Sequence, residues 1–278
     1  MGPLGIGIIS FDRPEYLRRT LAALEAQTAI GDDTRFWLFQ DGAVNHYSGK
    51  RHGWEADIAA CVRLFDNAKL PDKHITAWPD NVGVAINSLE ALDTLSAAFE
   101  RVILLEDDVV LSPHWLRLAR ILFDDLATRP GVFSVTPGFR AEGRDPSEVR
   151  YGWRHMWAEC FLAERWREIR PLYLEDFWTH VAECDYFDRD IDAIDALYAS
   201  RGVRGGPDGL AYSQDGGRQL AMTRAGLVRA YLPVNRAIGI GREGIHFTPA
   251  LFHERGYDTP GPFIHPGDAT REGFTWPA

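Results

Sequence analysis

Three carboxylates in a row, Glu106, Asp107 and Asp108, stand between the apolar runs 102–105 and 109–111 of this 278-residue chain. Like charges that close repel one another, and desolvating them at the end of a buried strand is costly unless a cation or several donors face them. A hard divalent ion such as Mg²⁺ or Mn²⁺ takes carboxylate oxygens and keeps positions for water and substrate phosphates. The triplet therefore suits a metal that bridges a diphosphate. The plainer reading is that the acids end a strand and cap the helix that begins near Pro113. Strand-end context favours the metal.

Other residues offer chemistry with alternatives beside it. Asp41 precedes Gly42 beyond an apolar strand, where its carboxylate can accept the imide hydrogen of uracil or a ribose hydroxyl, or close an ordinary turn. Arg13, just before Pro14, can reach a base or diphosphate or extend into solvent, and Asn81 with Gly83 forms either a nucleotide loop or a simple Asn-x-Gly turn. Asp215 stands with Gly216, Gly217 and, upstream, Gly209, in a stretch that reads as a loop able to bring a general base close to substrate. Asp208 and Asp185 are the fallback bases. Arg242 can pair with phosphate, His246 is either a phosphate or metal contact or structural, and Trp153 and Trp157 either stack on a sugar or pack along a helix.

The elements that must position these groups alternate. Residues 4–11 read as a strand, and Asp12, Pro14 and Glu15 start a helix to about Gln27. Strands follow at 35–40, 74–78, 101–105 and 132–135, and helices at 55–67, 84–99 and 113–127. This order predicts an α/β fold with a mostly parallel sheet covered by helices, whose ligands bind beyond the carboxyl ends of the strands. Polar clusters at 10–13, 40–42, 80–83 and 106–108 fall at such ends, so one site can collect them. Beyond residue 139 the pattern loosens into an aromatic-dense stretch and a glycine-rich one over 202–217. From residue 248 a segment rich in Pro, Gly and aromatics wraps the surface or covers a site.

Composition narrows the partners. Thirty Lys and Arg against 40 Asp and Glu give a net charge of −10, leaving no chain-wide basic field for nucleic acid or an anionic membrane. No apolar run approaches the roughly 20 residues that span a bilayer. No secretory leader is visible, and Cys61, Cys160 and Cys184 are odd in number and widely spaced, so a reducing cytoplasm is the expected home.

Taken in order, Ile9 to Pro14 with Ser10, Asp12 and Arg13, then Gln40-Asp41-Gly42, Asn81-Val82-Gly83 and Glu106-Asp107-Asp108 resemble the nucleotide-sugar half of GT-A-fold glycosyltransferases. The likeness is nearest to the inverting N-acetylglucosaminyltransferase I type and its bacterial family 2-like relatives. The resemblance implies a Rossmann-like GT-A sheet and transfer of a hexosyl or N-acetylhexosaminyl group from a nucleoside diphosphate sugar, preferably UDP-linked, to a hydroxyl of a glycan or other acceptor. It makes Asp108 the ligand of Mn²⁺ or Mg²⁺, Asp107 a nucleotide or ribose contact and Glu106 a donor-sugar contact, with Ser10, Arg13, Asp41 and Asn81 around the nucleotide. Downstream, Leu162 to Trp166 with Pro171 resemble the helix after the metal site, although Ala158 and Glu159 replace the expected glycine and tryptophan. Tyr212 to Asp215 fall where the family carries its catalytic base, and Gly239 to His246 match a later glycine-rich loop. Residues 1–139 would then bind the nucleotide sugar and 140–278 the acceptor, within one continuous domain. A sugar nucleotidyltransferase, which needs a glycine- and basic-rich phosphate loop that residues 5–12 lack, and a noncatalytic glycan-binding protein are the alternatives.

Overall fold

Period-two alternation builds the sheet. In a computed structural model that describes residues 2–138, 145–152, 158–202, 213–244, 247–259 and 261–277, strand β1 (Leu4–Ser10) turns Leu4, Ile6 and Ile8 to one face and Ile9 to the other. Strands β2 (Thr34–Gln40) and β4 (Arg101–Glu106) do the same, with Phe36, Leu38, Ile103 and Leu105 on the first face and Phe39, Val102 and Leu104 on the second. Helices α1 (Pro14–Glu25), α2 (Glu55–Asn67) and α4 (Trp115–Ala127) cover the first face. Helices α3 (Gly83–Ala98), α5 (Ala163–Asp176) and α7 (Gln214–Arg224) cover the second. Each Leu or Phe so buried stabilises the fold by about 1.5–3 kcal/mol. Between α5 and α7 lies α6 (Ile191–Ser200).

Eight strands join in the order β3-β2-β1-β4-β8-β6-β9-β7, where β3 is Lys73–Ala77, β6 Val132–Thr136, β7 Arg150–Tyr151, β8 Glu159–Leu162 and β9 Val228–Tyr231. Strands β3, β2, β1 and β4 are mutually parallel, β8 runs against β4 and β6, and β9 returns to the direction of β6. This is the mostly parallel, helix-flanked α/β sheet that the alternation predicts. Two short strands, β5 (Val109–Leu111) and β10 (Ala237–Gly239), pair antiparallel just past the end of β4. Because β9 points the same way as β4, the preceding helix α7 runs back against it. Its first turn therefore lies at the carboxyl edge of the parallel strands.

Several local expectations need correction. The N-cap of α1 is Arg13, not Asp12, and no side chain caps this helix end, since a guanidinium only donates and cannot accept from the first N–H groups. Helix α4 starts at Trp115, with residues 112–114 forming a turn, and β1 ends at Ser10. Asp215 is in the first turn of α7 and not in a glycine loop. Gly217 serves packing there, since a Cβ on it would lie 2.4 Å from the Phe177 ring. The helix expected over Leu162 to Trp166 with Pro171 is α5, which starts at Ala163 after Leu162 as N-cap and holds Pro171 inside it.

The C-terminal segment does wrap the surface. After α8 (Pro249–Glu254), Thr275 pairs with Glu148, and Trp276 Nε1 donates to Asp125 Oδ2 on α4 at 2.8 Å. All three cysteines are free. Among the described residues no helix is long and apolar enough to cross a membrane.

Candidate active site

The triplet sits where β4 ends and β5 begins. Asp107 N donates to the Ile9 carbonyl at 3.0 Å, Thr20 Oγ1 donates to the Asp107 carbonyl at 2.8 Å, and Ile240 N donates to the Asp108 carbonyl at 2.8 Å. Elements on three sides thus fix the backbone that carries the acids. The cation that their mutual repulsion demands is supplied by the chain. Arg13 Nη1 donates to Asp108 Oδ2 at 2.8 Å, while Nη2 of the same guanidinium bridges to Asp107 Oδ1. Asp107 Oδ2 also accepts from Phe11 N at 3.2 Å.

Electrostatics follow from this crowding. Burial alone would loosen the proton on Arg13, but Asp107, Asp108 and Glu106 more than offset it and hold the guanidinium above its ordinary range. Burial pushes Asp107 upward, with Arg13 pulling it back. Glu106 is raised by burial and by the neighbouring carboxylates of Asp108 and Asp215. That last influence brings Asp215 to the same end of the sheet as the triplet, as the direction of α7 requires.

The β10 loop closes over Asp108. A Cβ on Gly241 would stand 2.1 Å from Asp108 Oδ2 and 3.4 Å from Arg13 Nη1, so only glycine lets this backbone approach the carboxylate. Among the described residues no three His, Cys, Asp or Glu side chains gather into an all-protein metal cage. Hard divalent ions that work on nucleotides need only one or two carboxylates and take waters and phosphate oxygens for the rest. Asp108 fits that need: one oxygen meets Arg13 and the other is uncommitted among the described residues.

Beyond the end of β2 the structure gives Asp41 and Asn81 work within the protein. Asp41 Oδ1 accepts from Gly42 N at 2.9 Å and Val82 N at 2.8 Å, and Oδ2 accepts from Gly83 N and Asn81 Nδ2, both at 3.0 Å. Those four bonds fill the lone pairs of the carboxylate. They also tie the end of β2 to the first turn of α3. Burial nevertheless raises Asp41 to about 6, against the pull of these donors. Asn81 is buried between Asp41 and the Gly42 carbonyl. Ser10 is 2% exposed at the end of β1, and its carbonyl accepts from Asp41 N at 3.0 Å.

In the second half of the chain Asp215 Oδ1 accepts from Arg218 Nη2 at 3.2 Å, and Arg218 Nη1 in turn donates to Glu159 Oε2 at 3.0 Å. Glu159 is fully buried and also accepts from Arg229 Nε at 3.0 Å and Ser134 Oγ at 2.6 Å. Burial alone would raise Glu159, but Arg229, Arg218 and Ser134 hold it below its ordinary value. This network was not expected from the sequence; its members lie far apart there, and the only signal was an acidic residue at the start of the apolar run 160–163. Asp185 is equally committed: His52 Nε2 lies 2.8 Å from its Oδ2, Ser48 Oγ donates to the same oxygen, and Phe187 N donates to Oδ1 at 3.3 Å. Asp208, Tyr212, Trp153, Trp157, Ile245 and His246 lie outside the described residues. Arg242 is in the loop that follows β10.

No family model and no curated protein matches the chain. Among solved structures, a mannosyltransferase from Pyrobaculum calidifontis in complex with GDP-Man and Mn²⁺ shares 13% identity at a TM-score of 0.44. That match covers 75% of this chain and 56% of the mannosyltransferase. Residues 1–349 of S. aureus TarS share 11% identity at a TM-score of 0.44, covering 80% of this chain and 73% of that one. The same TarS segment in complex with UDP gives 13% and 0.42, with 84% and 61% covered. Overlap of this degree assigns neither substrate nor reaction.

Proposed function

We propose that this chain is a metal-dependent glycosyltransferase of GT-A type, moving a sugar from a nucleoside diphosphate carrier, UDP by preference, to an acceptor hydroxyl with inversion. The observation that carries the reading is the convergence, at one sheet edge, of Asp108 under the Gly241 backbone, Arg13, Glu106 and Asp215. Asp108 would hold Mn²⁺ or Mg²⁺, which when bound neutralises charge on the departing diphosphate. Arg13 adds a positive charge beside it. Glu106, at the end of β4 beside them, is the donor-sugar contact. Asp107, locked by Arg13 and Phe11 N, shapes the nucleotide side together with Ser10, Asp41 and Asn81. Asp215, steadied by Arg218, is the base that takes the acceptor proton as its oxygen attacks the anomeric carbon from the face opposite the leaving group. The nucleotidyltransferase alternative is not favoured, because the lone basic residue just after β1, Arg13, is spent on the acids.

Calorimetry with UDP tests this reading. UDP should bind well only with Mn²⁺ present, and Asp108→Ala should abolish that dependence while the protein still folds, since diphosphate and carboxylate otherwise repel. An Asp108→Ala protein that binds UDP and Mn²⁺ like wild type would refute the metal assignment.

A further inference from the structure

We propose that Arg13 is a built-in counter-ion that competes with a divalent cation for the charge of Asp108, so that this arginine sets the cation affinity of the protein. The inference rests on the reading of Asp108 as the cation ligand. One guanidinium spans two adjacent carboxylates, through Nη1 on Asp108 and Nη2 on Asp107. The two acids are unequal. The Asp107 side chain is 1% exposed and holds a second donor, Phe11 N, whereas the Asp108 side chain is 13% exposed and meets Arg13 through one oxygen.

The bond to Asp107 is therefore the anchor and the bond to Asp108 the one that can open. Arg13 has room to open it: its side chain is 29% exposed, and its guanidinium carbon lies 5.5 Å from the centre of the Tyr16 ring, a face able to receive the cation. Gly241 presses the β10 loop onto the same Asp108 oxygen that Arg13 uses. An ion arriving at Asp108 thus meets an arginine already in possession. Its affinity is the difference between two cations competing for one carboxylate, and not the full attraction of the acidic triplet.

Electron paramagnetic resonance of Mn²⁺, titrated alone into the full-length protein with no nucleotide, reads this directly. Arg13→Gln should bind Mn²⁺ roughly 10-fold more tightly than wild type or better. Arg13→Lys, whose single ammonium cannot span both carboxylates as the planar fork does, should fall between them. Mn²⁺ should correspondingly raise the Tm of Arg13→Gln more than that of wild type. Should Arg13→Gln fail to fold with Asp107 left unpaired, the comparison of Arg13→Lys with wild type decides alone. Equal affinities in all three proteins, with binding lost in Asp108→Ala, would overturn the counter-ion role and leave Asp108 as ligand. Weaker binding in the Arg13 variants would overturn it by showing that the arginine organises the site for the ion. Absence of Mn²⁺ binding in every protein would remove the metal reading and this inference together.

Discussion

A base that takes a proton only as the acceptor oxygen attacks is felt in the transition state and hardly at all in the bound donor. Asp215→Asn should therefore depress turnover by roughly 100-fold or more while leaving UDP affinity near that of wild type. Steady-state kinetics with a panel of nucleotide sugars and hydroxyl acceptors, paired with UDP calorimetry, checks it. Near wild-type turnover would remove Asp215 from this role, and Asp185, already bonded to His52 and Ser48, is a poor substitute. The sequence exposed the acidic triplet and Arg13 separately, because each stands at a strand end. It could not show that they pair, since 94 and 95 positions separate Arg13 from its two partners. For the same reason it offered Asp41 and Asn81 as separate ligand contacts without showing that folding pairs them with each other.

Between the end of β2 and the start of α3, Asp41 acts as a clasp. Its protonation couples to stability with a definite sign. The folded group titrates near 6, above its ordinary 3.8, so its favourable contribution is complete below about pH 4 and is lost as pH rises through 6. The stability of wild type relative to Asp41→Asn should fall across that window by up to roughly 3 kcal/mol. Urea denaturation of both proteins at several pH values measures the difference, and a flat difference would contradict the burial argument. Elements of the first half were legible almost residue by residue, since β1, β2 and β4 are short apolar runs that end on polar residues and α2 matches its expected span of 55–67. Strand β8 was not. It opens on Glu159, which looks like a surface residue until Arg218 and Arg229 arrive from α7 and β9. Helix α7 was hidden by its glycines, of which Gly217 makes room for the Phe177 ring.

At the scale of the whole molecule, the C-terminal wrap is held by a charge pair with no exposure at all. Arg236 Nε donates to Asp268 Oδ2 at 2.8 Å and Nη2 to Oδ1 at 3.0 Å, while Arg271 Nε adds a third bond to Asp268 at 3.0 Å. Arg236 also donates to the Val234 and Pro146 carbonyls. Breaking one partner of such a pair strands the other in the interior, so Asp268→Asn should destabilise by about 3–5 kcal/mol. The urea midpoint reports it, and a shift below roughly 1 kcal/mol would mean that the wrap is dispensable. The same pair imposes an order in time. Arg236 leaves the ribosome 32 residues ahead of Asp268, and until the later carboxylate emerges the arginine cannot enter the interior without an uncompensated charge. The helices and parallel strands of the first half can assemble during synthesis, but the layer around β10 must wait, open to chaperones and proteases, for the chain to deliver its own counter-charge.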